Sequence, residues 1–309
     1  MDHSICINSL STPAQSAEKA YYLLTDACLG MLELNTGNDR FIFYYDDEKN
    51  RCLEECRLAV NYTYKNFLND LEDKNENDLL LFLIEAVDKS PALDHIINES
   101  EDIFDAISSC HFYLPGTGSD KDMDTLGIAW LLNATLLSLL TEKIWDTPHL
   151  EIAQLKYGDY SENLLLLNNI AKYEHGEELR QEWNRLAEQP LEEICPECRF
   201  STPFLDWYNG LDDTNRYRVR DKLQSASDRS FQGGKPFFDT LDKADGIREI
   251  RFSAYPGGTT RVLFGALPDQ KQAILIGFIK KSNREGYSKN IPRAKDQWEK
   301  IRENFYHDT

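Results

Sequence analysis

Two hydrophobic rhythms divide this chain. In AEKAYYLLTDACLGMLEL (17–34) apolar residues recur every three or four positions, the spacing of a helix with one buried face, and Ser16 stands where an N-cap belongs. LLLFLIEAV (79–87), residues 125–141 and GEELRQEWNRLAEQ (176–189) read as further helices, and a long helix is expected from about 47 to 71. FIFYY (41–45) and HLEIAQLKY (149–157) carry strand patterns in this stretch. From about residue 200 the rhythm changes. FLDWYNGL (204–211) and DDTNRYRVRDKLQSAS (212–227) predict a helical hairpin, with Phe204, Leu205, Tyr208 and Leu211 on one face. GIREIRFSAY (246–255), TTRVLFGAL (259–267) and QAILIGFIKK (272–281) follow as strands, with turns at PGG (256–258) and PDQ (268–270). The third strand is apolar on both faces, as a central strand is. The chain closes on NIPRAKDQWEKIRENFY, where Ile291, Ala294, Trp298, Ile301 and Phe305 form one apolar stripe.

The expected fold class is therefore α+β. An acidic α-rich domain spans 1–198, with CPEC (195–198) at its end, and 199–309 hold a helical hairpin, an antiparallel three-stranded meander and a C-terminal helix. At 309 residues, 41% of them hydrophobic, the chain can bury two cores, which excludes a disordered class. GIAWLLNATLLSLL (127–140) is too short to span a bilayer. The opening MDHSICINSLSTPAQ lacks the basic-then-apolar order of a secretory leader, and the seven cysteines are irregularly spread. The expectation is a cytoplasmic protein with free thiols and no membrane partner.

Charge changes the picture more. A net of −19 argues against nucleic acid, but the average hides an asymmetry. Residues 199–309 carry 20 Lys+Arg and 15 Asp+Glu, a net of +5, whereas residues 1–198 carry 14 and 38, a net of −24. Positive charge gathers in GFIKKSNREGY (277–287), directly after the most apolar strand.

The ordered set of the helical hairpin, GIREIRF, RVLFG, GFIKKS and the trailing IPRA helix resembles the RelE/ParE superfamily of toxins, in its phage-related HigB branch. The resemblance covers about the last 105 residues, and the first domain resembles no family. It implies a toxin-type endoribonuclease that cuts messenger RNA, usually on the ribosome, with growth inhibition and phage defence as its setting and a separate antitoxin as one partner. It implies catalytic roles for Arg251, which closes the EIR triplet, and Arg261, which opens the next strand. It implies the same for Lys281, after the last strand, and for Tyr287, where some members carry a catalytic tyrosine. Arg248, Lys280 and Arg284 are expected to bind RNA. The one histidine of this part is His307, so a histidine base does not fit.

Chemistry supports those residue types. Cleavage by RNA's own 2′-hydroxyl needs a proton acceptor, positive charge on the phosphorane and a donor to the 5′-oxygen. Fixed cations aimed at the developing charge are usually the largest contribution. Arginine offers a permanently charged planar fork that matches phosphate. Neighbouring cations are expected to lower the Tyr287 pKa so that it can exchange protons, and its ring could stack on a base. The competing reading pairs Arg251 and Arg261 with Glu249 or other acids in a structural ion network. At the level of the whole domain, a gyrase-binding toxin of the ParE type and a non-catalytic interaction module are the alternatives. No cofactor is expected. The metal expectation is none; Cys195 and Cys198 form half a zinc knuckle that Cys52 and Cys56, or His175, would have to complete. GTGSD (116–120) reads as a turn, and His95, His111 and His149 as isolated structural residues. The acidic domain is expected to contact the basic one within the chain and restrain or target it.

Overall fold

The computed structural model describes residues 2–35, 39–45, 52–88, 110–115, 124–156, 159–160, 165–234, 237–241, 244–254, 258–268, 271–280 and 286–307. Within these the chain is α+β and divides into two compact units, Met1–Glu182 and Trp183–Thr309.

The first unit is built on one mixed sheet. Strands β1 (Asp2–Ile7), β2 (Arg40–Tyr44), β5 (Cys110–Tyr113), β6 (Thr135–Leu137), β7 (His149–Lys156) and β9 (Leu165–Ile170) lie in the order β2-β1-β6-β9-β7-β5, and β8 (Asp159–Tyr160) pairs with β7. The pairs β1–β2, β1–β6 and β6–β9 are parallel. Helix α1 (Ala17–Leu32) carries the crossover from β1 to β2, and Ser16 caps it by accepting from the Lys19 amide at 3.1 Å. β3 (Arg57–Ala59) and β4 (Tyr62–Thr63) form a small hairpin ahead of α2 (Tyr64–Asp73), and α3 (Asn77–Asp88) follows. Strand content in this unit exceeds the sequence expectation, for local reasons. Asn61 turns at φ 60 between β3 and β4, interrupting the helix expected over 47–71. Asn133, at φ 50, ends α4 (Asp124–Leu132) before β6, so the apolar run at 125–141 is a helix followed by a strand. The parallel strands end on a buried polar ladder. Asn8 Nδ2 donates to Ser138 Oγ at 2.8 Å, and Ser138 donates to Asn169 Oδ1 at 2.6 Å. Helix α5 (Tyr173–Glu188) lies so close to α1 that a Cβ on Gly176 would stand 1.8 Å from the Gly30 carbonyl oxygen.

The division between units falls inside α5. Trp183 meets Tyr217 edge-on at 6.4 Å, and Arg220 donates to the Leu186 and Gln189 carbonyls at 2.8 and 2.6 Å. Leu191 and Ile194 of the short helix α6 (Leu191–Ile194), with Cys195 and Cys198, share a core with Phe204, Val219 and Leu223. Residues 183–198, grouped with the first domain by the sequence reading, thus pack with the second unit; CPEC lies inside it.

The second unit is a five-stranded sheet in the order β10-β14-β13-β12-β11, made of β10 (Cys198–Phe200), β11 (Phe238–Thr240), β12 (Arg248–Ser253), β13 (Thr259–Ala266) and β14 (Gln272–Lys280). β12, β13 and β14 are the expected antiparallel meander. β10 adds in parallel to β14, and β11 antiparallel to β12. On one face Ile250, Val262, Phe264 and Ile274 pack with the helical hairpin α7 (Thr202–Asn209) and α8 (Asp213–Asp228). On the other, Leu263, Ile276 and Phe278 pack with Ile291, Ala294 and Trp298 of the C-terminal helix α9 (Tyr287–His307). Ile291, Ala294, Trp298 and Ile301 are four members of the apolar stripe predicted for that helix, and the side chain of the fifth, Phe305, lies outside the described residues.

Candidate functional site

Period-two alternation decides which side chains of β12 meet. Ile250 and Phe252 point to the helical hairpin, so Glu249 and Arg251 point to the opposite face. On that face β13 places Arg261 directly across from Arg251, and β11 places Asp239 across from Glu249. Helix α9 supplies Tyr287 from its first turn. Gly286, just before it, has φ +100, and a Cβ there would stand 2.5 Å from the Phe278 ring. Glycine therefore lets Tyr287 stand edge-on to Phe278, with ring centroids 5.7 Å apart.

These side chains close on Glu249, which has no solvent exposure. A buried carboxylate is costly unless it is paired and hydrogen-bonded, and here it is both. Tyr287 Oη lies 2.9 and 2.8 Å from the two Glu249 oxygens and donates to that carboxylate. Arg251 Nε lies 3.3 Å from Oε1, and Arg261 Nε lies 3.8 Å from the same oxygen. Arg251 also turns Nη1 to Asp239 Oδ2 at 2.9 Å. Arg261 is 6% exposed, and its Nε has no hydrogen-bond partner among the described residues.

Burial and charge pull these groups in different directions. Burial pushes the Glu249 carboxyl above its ordinary range, and Arg261, the Tyr287 hydroxyl and Arg251 only partly oppose it. Tyr287 is pushed up to about 12, first by burial and then by the Glu249 carboxylate it donates to. Burial lowers Arg261, with Glu249 opposing. The expectation that cations lower the tyrosine is thus corrected. Arg261 and Arg251 do pull it down, but burial and the Glu249 carboxylate outweigh them. The phenol keeps its proton at neutral pH.

Arg251, Arg261 and Tyr287 are therefore brought together, and Lys280 lies beside them with Nζ 5.0 Å from the Tyr287 ring centroid. Arg248 is not among them. It shares the Ile250 face, lies over the Phe238 and Phe264 rings at 5.2 and 5.4 Å, and donates to the Phe231 and Gly233 carbonyls at 2.6 and 2.5 Å. Its donors turn to its own backbone on that face, because it stands three positions before Arg251 and alternation puts an odd offset on the other face. Lys281 and Arg284 lie outside the described residues, as do His95 and GTGSD. Sequence reasoning named Glu249 only as a rival partner and missed Asp239. The signal for Glu249 was its offset of two from Arg251; for Asp239, on a three-residue strand, no pattern existed.

The remaining candidates sit elsewhere. Cys195 and Cys198 are buried in the apolar core, where Cys195 Sγ donates to the Leu223 carbonyl at 3.3 Å. Contact with Cys195 and burial hold the Cys198 thiol well above its usual range. Among the described residues no three His, Cys, Asp or Glu side chains gather as a metal site. In the first unit His149 Nε2 pairs with Glu182 at 2.9 Å, and buried His175 lies 3.4 Å from Asp146, which Lys172 holds at 2.5 Å. His111 lies in β5. No described helix is long and apolar enough to cross a membrane.

Residues 206–299 match the family model described as Phage derived protein Gp49-like (DUF891). That family belongs to the RelE/HigB-like toxin superfamily. The matched stretch runs from within α7 to within α9 and contains Asp239, Glu249, Arg251, Arg261 and Tyr287. The chain is similar to the Gp49-like proteins over this stretch, and residues 1–205 lie outside the match. No curated protein matches the chain.

Proposed function

We propose that the second unit is a toxin-type endoribonuclease that cleaves messenger RNA on the ribosome, and that the acidic first unit restrains or targets it. The observation that carries this reading is the convergence of Arg251, Arg261, Tyr287 and Glu249 on one sheet face, inside the stretch similar to a family of the toxin superfamily.

Each group has a distinct job in the reaction. The Glu249 carboxylate takes the proton of the attacking 2′-hydroxyl, a task that a carboxyl raised toward the working pH suits. The 2′-oxygen then bonds to phosphorus. Arg251 and Arg261 face the charge that develops on the non-bridging oxygens. Tyr287 gives its proton to the departing 5′-oxygen, and its raised pKa keeps that proton available. The products are a 2′,3′-cyclic phosphate and a 5′-hydroxyl. Before this can happen the substrate phosphate has to replace one carboxylate as the partner of Arg251, and Tyr287 has to release Glu249 to the 2′-hydroxyl.

The internal pairing of Arg251 with Asp239 and Glu249 favours, as a second reading, a non-catalytic module whose arginines serve only the fold. Mapping RNA ends in bacteria that express the chain separates the two. The nuclease reading expects new 5′-hydroxyl ends inside coding sequences within minutes of induction. Intact messages accompanied by supercoiling defects would instead point to a gyrase-binding toxin, and intact messages with normal growth to the module.

A further inference from the structure

The two carboxylates of the cluster are not equivalent. Glu249 is sealed, with its side chain 1% exposed, whereas Asp239 is 23% exposed and Arg251 29%. Asp239 lies on β11, the edge strand of the sheet. The contact from Arg251 Nη1 to Asp239 is therefore the part of the cluster that an incoming anion meets first. We propose that this contact marks the phosphodiester subsite: Asp239 occupies on Arg251 the place that an RNA backbone phosphate takes, and leaves it when the phosphate binds. The identity of the phosphate's owner rests on the nuclease reading above; the presence of an oxyanion subsite does not.

Three features support this assignment. A guanidinium offers two donor edges, and a carboxylate and a phosphate both fit them with paired oxygens. The Nε of Arg251 is directed to buried Glu249 at 3.3 Å, so Nη1 is the donor turned toward the exchangeable partner. Second, Arg261 Nε is buried without a hydrogen bond among the described residues and lies near the same Glu249 oxygen as Arg251, so a second cation adjoins the first. Third, β11 is held through its backbone. Its backbone pairs Phe238 with Ile250 and Thr240 with Arg248, and the Arg251 amide donates to the Phe237 carbonyl at 2.9 Å. A partly exposed ion pair exchanges more readily than a sealed one. Glu249 is thus the fixed carboxylate of the site and Asp239 the competitor that sets its affinity for anions.

The test is a calorimetric titration of the full chain with inorganic phosphate. Asp239→Asn keeps the shape and removes the competing charge, and phosphate should bind it at least about tenfold more tightly than the unmutated chain, since a like charge against an incoming anion is costly in a partly buried site. Adding Arg251→Ala should abolish that gain. In the unmutated chain, saturating phosphate should move the carboxyl resonance of Asp239 and leave that of Glu249 in place. Unchanged or weaker binding by Asp239→Asn, a gain that survives Arg251→Ala, or an unmoved Asp239 resonance would each overturn the proposal. RNA cleavage is measured in parallel. A phosphate gain with no cleavage by any variant keeps the subsite and removes the nuclease; cleavage without the gain removes the role of Asp239 alone.

Discussion

At Tyr287 burial and one contact reverse an expected shift. Among cations its phenol would drift toward ionisation; buried and donating to Glu249, it rises to about 12 and keeps its proton. Tyr287→Phe keeps the ring against Phe278 and removes the proton. Cleavage should fall by about a hundredfold or more in a chain that stays folded with a lowered melting temperature, since buried Glu249 loses a donor, as paired kinetic and thermal assays would show. Glu249 makes a pH prediction. Its carboxyl titrates above the ordinary value of 4.5, so the acid-side limb of cleavage should lie higher than for an exposed glutamate, with activity rising as pH rises through it. Glu249→Gln should remove the limb along with most of the rate; a limb that persists would assign the base elsewhere. The same shift makes the folded chain hold this proton more tightly than the unfolded one. Its contribution to stability is full below pH 4.5 and is lost as pH rises toward the folded value. At this scale the arginines and the tyrosine were legible because their residue types fit the chemistry. The carboxylates were not, because a glutamate's role depends on what the neighbouring strand sets beside it.

Strands and helices sort the same residues by face. Arg248 and Arg251 both looked like site residues, but period-two alternation sends them to opposite sides of β12. Arg248→Met should strip donors from two backbone carbonyls and cost about 1–3 kcal/mol, read as a lower melting temperature, while phosphate binding stays within about twofold of the parent. A loss of phosphate binding without a loss of stability would return Arg248 to the site. In the first unit the approach of α5 to α1 requires a residue without a side chain at position 176. Gly176→Ala should destabilise that unit by a few kcal/mol, measured by chemical denaturation, because the added carbon meets the Gly30 carbonyl. The meander, the hairpin and the last helix were readable from their long apolar periods. β10 and β11 were not, since three residues show no period and their pairing is set by partners far along the chain.

The whole molecule joins an acidic unit to a basic one. Divided where the structure divides, residues 1–182 carry a net charge of −21 and residues 183–309 a net of +2, so the asymmetry read from the sequence persists with a milder basic side. The structure divides the chain earlier than the sequence reading does, inside α5, which runs through the division without a turn signal. Tethering gives an effective concentration of about a millimolar, enough for weak charge complementarity to act. The proposed restraint predicts that residues 183–309 alone inhibit bacterial growth more strongly than the full chain at matched soluble expression. Equal inhibition would remove the restraint, and inhibition by the full chain alone would make the first unit a targeting element. The central claim, that the Glu249 cluster cleaves RNA, meets its most direct test with purified chain, ribosomes and one defined message. The account predicts fragments ending in 2′,3′-cyclic phosphate and a loss of about a hundredfold or more on Arg261→Ala in a chain that remains folded. Fragments ending in a plain 3′-hydroxyl, or undiminished cleavage by the Arg261→Ala chain, would contradict it.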